Sequence, residues 1–124
     1  MLSARSHQML AVLRIVTALC FMEHGSEKLL GFPPGHLPDA FTLGWFAGCF
    51  ELFGGLLVLV GFQTRIAAFL LSGEMAIGYW TAHAPKSFFP MLNGGESAIL
   101  FCFVFLYLVF AGPGTWSIDT RGRA

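Results

Sequence analysis

Residues 41–62 read FTLGWFAGCFELFGGLLVLVGF, and apart from Cys49 the one ionisable side chain in that run is Glu51, at its centre. As an α-helix rising about 1.5 Å per residue, the run reaches roughly 33 Å, about the thickness of a bilayer's hydrocarbon core. It therefore reads as a membrane-spanning helix. Gly44 and Gly48 lie seven and three positions before Glu51 and Gly55 lies four after it, so the acid and the glycines share one helical face. Seams of small residues let neighbouring backbones approach closely, so Glu51 is expected to point into a helix bundle. An unpaired carboxylate would be costly there, and a partner is expected.

The rest of the chain has the same character. Of its 124 residues 56% are hydrophobic and only 11% are charged, against about 25% charged in soluble domains. Four spans of about 20 residues with short connections would use nearly all of this length, leaving a single domain over residues 1–124. The net charge is zero and no basic cluster is present, which removes the electrostatic basis for nucleic-acid binding. Cys20, Cys49 and Cys102 each sit within an apolar run, with no CxxC pair and no His or Cys at zinc-ligand spacing, so they read as small packing residues and no metal site is expected. Arg5 precedes the first apolar run as in a signal peptide, but no Ala-x-Ala site follows, and the run is expected to be retained.

The expected fold is all-α, an integral membrane four-helix bundle with spans at about 8–24, 41–62, 66–83 and 96–111. In the first, Arg14 shares a face with Ala11, Ala18 and Gly25; it either faces inward or snorkels to the headgroups. His24 and Lys28 lie one turn apart if that helix continues. Three prolines and two glycines in 31–39 exclude regular helix. The third span carries Glu74 near its middle, on a face with Ala67, Gly78 and Thr81, and closes at His83. A loop over 86–95 leads to the fourth, where Glu96, Phe103 and Tyr107 share a face, and Thr115 to Ala124 reads as a short polar tail. Arg5, Arg65, Arg121 and Arg123 fall on the side of the termini, Lys28 and Lys86 on the other, so the positive-inside rule places both termini in the cytoplasm.

Each span thus contributes an ionisable residue, with Arg14 expected between Glu51 and Glu74. Two readings stand side by side: buried charges that fix the packing, or a polar cavity open on the outer face and lined by His24, Lys28, His83 and Glu96, with Glu51 and Glu74 as deeper proton-exchanging groups. Axial haem ligation by His24 and His83 is disfavoured, since both lie at helix ends and no second pair accompanies them. Tyr107 is either a core aromatic or a functional phenol. Lys28 and Lys86, with the aromatic pair Phe88 and Phe89, form the expected docking surface for a partner.

Leu13-Arg14-Ile15, His24-Gly25-x-x-Lys28-Leu29, Glu51-x-x-Gly54-Gly55, Gly61-x-x-Thr64-Arg65, Gly73-Glu74-Met75, His83-Ala84-Pro85-Lys86, Asn93-Gly94-Gly95-Glu96 and Gly112-Pro113-Gly114-x-Trp116-Ser117-x-Asp119 occur in this order. Together they resemble the DoxX family, from about residue 10 to 119. The resemblance implies a four-helix bacterial inner-membrane protein whose recurring polar positions fall on Arg14, His24, Lys28, Glu51, Glu74, His83 and Glu96. Some family members are described as the quinone-linked membrane subunit of a thiosulfate oxidoreductase, others as a component of a membrane-associated thiol and oxidative-stress complex. One expectation is therefore a redox-linked membrane subunit that binds a quinone between apolar walls and a few polar groups. No cofactor motif is present, so electrons would come from a partner redox protein on the outer face. The other is a non-catalytic scaffold or a transport-type protein for a small ion or molecule, and self-association is compatible with either.

Overall fold

The apolar runs fold as helices, and local chemistry sets where each one ends. The computed structural model describes residues 1–121 and has no strand among them. Helix α1 (Ser6–Leu30) is followed by α2 (Leu43–Val60), α3 (Thr64–Gly78), the short α4 (Pro90–Asn93) and α5 (Glu96–Ala111). A π-helical turn, Tyr79–His83, and a 3-10 turn, Ala84–Lys86, prolong α3, so the third helical stretch runs one short turn past His83, where the span was expected to close. Arg123, counted above with the arginines on the side of the termini, lies outside the described residues.

α1 is two turns longer than expected. Gly25-Ser26-Glu27-Lys28 is polar because it borders a cavity and a loop, and it remains helical until Gly31 adopts φ +69° and stops the helix. Residues 31–42 contain no helix, as the prolines require. α2 starts at Thr42, whose hydroxyl accepts the Trp45 amide. Within the stretch expected to be loop, residues 90–93 form the single turn of α4.

α1 packs chiefly against α2, and α3 against α5. The glycine seam read from the sequence makes the first of these contacts: a Cβ on Gly25 would stand 2.7 Å from the Leu52 nitrogen and 2.9 Å from the Gly48 oxygen. The two backbones touch there, which no larger residue would permit. Phe21, Val58, Ala68, Leu71, Phe105 and Leu108 fill the centre, with the Phe21 and Phe105 rings edge to face at 4.9 Å.

Polarity is distributed in the reverse of a water-soluble bundle. Arg14 and Glu51 are among the largest fully buried side chains, whereas Phe53, Phe103 and Phe110 on the outside are at least 63% exposed. Apolar surface on this scale suits lipid, not water. The helical stretch Ser3–Leu30 and helix α2 are each long and apolar enough to cross a membrane, and α5 is a shorter apolar helix.

Candidate functional site

Ionisable groups gather at opposite ends of the bundle. At the end where α1 finishes and α2 begins, a half-open cavity of about 510 Å³ lies between the long helices. His24 and Lys28 reach it from α1, Glu51 from α2, Glu74 from α3, His83 from the π turn, and Ser97 and Phe101 from α5. Five of the eight residues singled out in the sequence therefore meet in one space.

Lys28 is the partner that Glu51 required. Its ammonium donates to both carboxylate oxygens, at 3.0 Å to Oε1 and 2.8 Å to Oε2, and Glu51 is only 2% exposed. The pair spans α1 and α2 over the point where the glycine seam brings the backbones together, and without that approach the lysine would not reach. Beside it, the Glu74 carboxyl lies within hydrogen-bonding range of Glu51, while its buried Oε1 receives no hydrogen bond from any described residue. Two carboxyl groups can hydrogen-bond only with a proton between them. The arrangement is therefore able to hold and release a proton next to a fixed ammonium.

The walls are otherwise apolar: Leu43, Ala47, Met75, Ile77 and Phe101 line the same space. His24 packs edge to face on Phe101 at 5.7 Å. The π turn, a feature frequent at functional sites, carries His83 and Thr81 to the rim. There His83 Nδ1 lies 3.1 Å from the Asn93 carbonyl, and the Thr81 hydroxyl donates to the Ile77 carbonyl at 2.8 Å.

Three expected members stand elsewhere. Arg14 does not lie between Glu51 and Glu74: its guanidinium donates to the carbonyls of Pro113, Thr115 (3.2 Å) and Trp116 (2.8 Å) at the end of the bundle that holds the termini. It neither snorkels nor pairs with the cavity acids. Glu96 is exposed at the start of α5 and outside the cavity lining, because the face it shares with Phe103 and Tyr107 points outward. Tyr107, 57% exposed on that face, is neither a core aromatic nor a cavity phenol. Lys28 faces the cavity and is bound to Glu51, so it does not belong to the docking surface expected of it with Lys86, Phe88 and Phe89.

The polar tail is also not a tail over its described part. Residues 113–119 fold back across the bundle end: Ile118 N donates to Val60 O at 3.0 Å, Asp119 N to Gly61 O at 2.8 Å, and the Asp119 carboxylate accepts Gln63 N and Thr64 N at 2.8 and 2.9 Å. Arg65 reaches the Val109 and Phe110 carbonyls at the end of α5. Sequence reasoning missed this clamp, and it missed Ser97, Met75 and Asn93 at the other end. The signals available were Gly112-Pro113-Gly114, which turns the chain back, and Asp119 at a distance only the fold closes.

A lipid-suited exterior around buried charge defines a helical membrane protein. Residues 9–84 match the model of the DoxX family. An uncharacterised protein of Haemophilus influenzae is 43% identical over 121 residues, covering 90% of this chain and 89% of that protein. An uncharacterised membrane protein of Mycobacterium tuberculosis is 30% identical over 138 residues, covering 88% and 78%. No solved structure gives a significant match. The chain belongs to the DoxX family.

Proposed function

We propose that the chain is a multi-pass protein of the bacterial inner membrane, the membrane subunit of a redox-linked system, and that its cavity binds a quinone-like amphiphile. Support for four spans comes from the outward apolar side chains of α3 and α5, such as Phe69, Leu70, Leu100 and Phe110. With its π turn α3 covers 20 residues, 64–83, and the 16 residues of α5 span about 24 Å, within what a bilayer accommodates by local thinning. Four spans put both termini on one side, and the arginine bias favours the cytoplasm for them. The cavity then opens toward the outer face, where Lys86, Phe88 and Phe89 are exposed beside its rim for a partner redox protein.

The observation that carries the reading is the Lys28–Glu51 pair with Glu74 beside it, in an apolar-walled cavity of about 510 Å³. Small-molecule sites have this size and this mixture of walls and convergent polar groups. Glu51, Glu74 and the two histidines supply proton acceptors for a ligand that gains or loses protons as it changes oxidation state. Electrons pass to or from the partner. A second reading, a scaffold or transport-type protein, draws on the two-point satisfaction of Glu51 by Lys28, which also suits a purely structural pair.

Titration of purified, detergent-solubilised protein with a short-chain quinone and its hydroquinone, with extraction of co-purified lipid-soluble redox compounds, tests the proposal. Saturable binding lost in Glu74→Gln supports the redox-linked site. No binding of either form and no extracted compound would leave the scaffold reading.

A further inference from the structure

We infer that the cavity is built for an amphiphile whose polar head donates hydrogen bonds, a hydroxylated head in preference to a carbonyl-only one. The inference rests on the cavity being a ligand site, as proposed above, and names the head that such a site accepts. Lys28 gives two of its three protons to Glu51, and the Thr81 hydroxyl donates to the Ile77 carbonyl; Ser97 and a neutral His24, also in the lining, each offer a donor and an acceptor and so favour neither kind of head. The cavity's acceptors are not all engaged. Glu51 already accepts from Lys28 at both oxygens, whereas the buried Oε1 of Glu74, in the same lining, has no donor among the described residues.

His83 is held in the same sense by Asn93. Asn93 is 2% exposed; its Nδ2 donates to Tyr79 Oη at 3.1 Å and Ser87 O at 3.0 Å, and its Oδ1 accepts Gly95 N at 2.7 Å. These bonds tie the π turn, the rim loop and the start of α5 together and fix the Asn93 carbonyl against His83 Nδ1 at 3.1 Å. A carbonyl oxygen carries no proton, so Nδ1 must, and the neutral ring keeps its acceptor at Nε2. Asn93 is thus a positioning residue that sets the tautomer of a cavity histidine. Glu74 and His83 sit nine positions apart on one continuous helical wall, roughly 13 Å along its axis, so the site offers one acceptor deep in the cavity and one at its rim.

The test uses the intact protein in detergent under anaerobic conditions and three probes that differ in their donors: a short-chain hydroquinone, the matching quinone and the hydroquinone dimethyl ether. Calorimetric titration is expected to show the hydroquinone binding at least about tenfold more tightly than the other two, the worth of one to two hydrogen bonds. His83→Phe, at a half-buried rim position, should shrink that preference to about threefold or less. Asn93→Ser should do the same while shifting the imidazole nitrogen resonances of His83 toward a mixture of tautomers; where it fails to fold, His83→Phe still decides. Quinone or dimethyl ether binding as tightly as the hydroquinone overturns the donor rule and leaves the site standing. If none of the three binds, the rule and the site fall together.

Discussion

At the end of the bundle that holds the termini, Arg14 donates to three carbonyls of the returning chain, Asp119 accepts two amides at the start of α3, and Arg65 caps α5. At the other end Lys28 holds Glu51, while Glu74 and His83 line the cavity, the buried Oε1 of Glu74 without a hydrogen bond from any described residue. The first set bonds mainly to backbone, and backbone carbonyls cannot change charge or leave. The second bonds side chain to side chain around open space, where a proton or a ligand can change the balance. Buried charge alone therefore does not distinguish structure from chemistry in this membrane protein; what the charge is bonded to does. The returning chain closes one end, and the opening is left to the other.

Arg14→Ala tests the closed end most severely. It leaves three carbonyls without their donor and a void, and should cost about 3–5 kcal/mol, read as a loss in reversible unfolding in mixed micelles. Arg14→Lys should recover only part of that, since one ammonium cannot reproduce the guanidinium fork. Next comes Gly61→Ala: the position has φ +71° and its Cβ would stand 2.3 Å from Ser117 Cβ, so strain and overlap should cost about 2–4 kcal/mol in the same assay. Asp119→Ala removes the cap of α3 and should cost about 1–2 kcal/mol. At the open end the order reverses. Glu74→Gln should change stability by no more than about 1 kcal/mol, since the isosteric carboxamide can still donate toward Glu51 and no described residue bonds Oε1, yet it should abolish saturable binding of hydroquinone. A loss of stability at Glu74 as large as that at Arg14 would erase the distinction between the two ends.

Much of the fold was legible. The uninterrupted apolar runs, the prolines of 31–39 and the glycines spaced around Glu51 led to the helices, to the long irregular loop and to the seam that α1 and α2 share. Five of the cavity residues were legible as well, since ionisable groups are scarce in so apolar a chain and each had to face inward. Arg14 was assigned to the wrong partners because charge pairing is the obvious way to satisfy a buried guanidinium. Carbonyls can do the same work, and every residue carries one, so they leave no mark in the sequence. Glu96 and Tyr107 were misplaced because α5 is apolar on all sides, which leaves periodicity unable to tell its inner face from its outer.

What this sequence determined by itself was the solvent and the local conformation: hydrocarbon outside, helix throughout, and a demand that each buried charge find a partner. Those follow from composition and short-range spacing. Which partner each charge found, that the last described residues return to clamp one end, and that the acids meet a lysine at the other were decided by tertiary structure. Such pairings join residues up to about a hundred positions apart, and only the packing of whole helices brings groups that distant within the reach of a hydrogen bond.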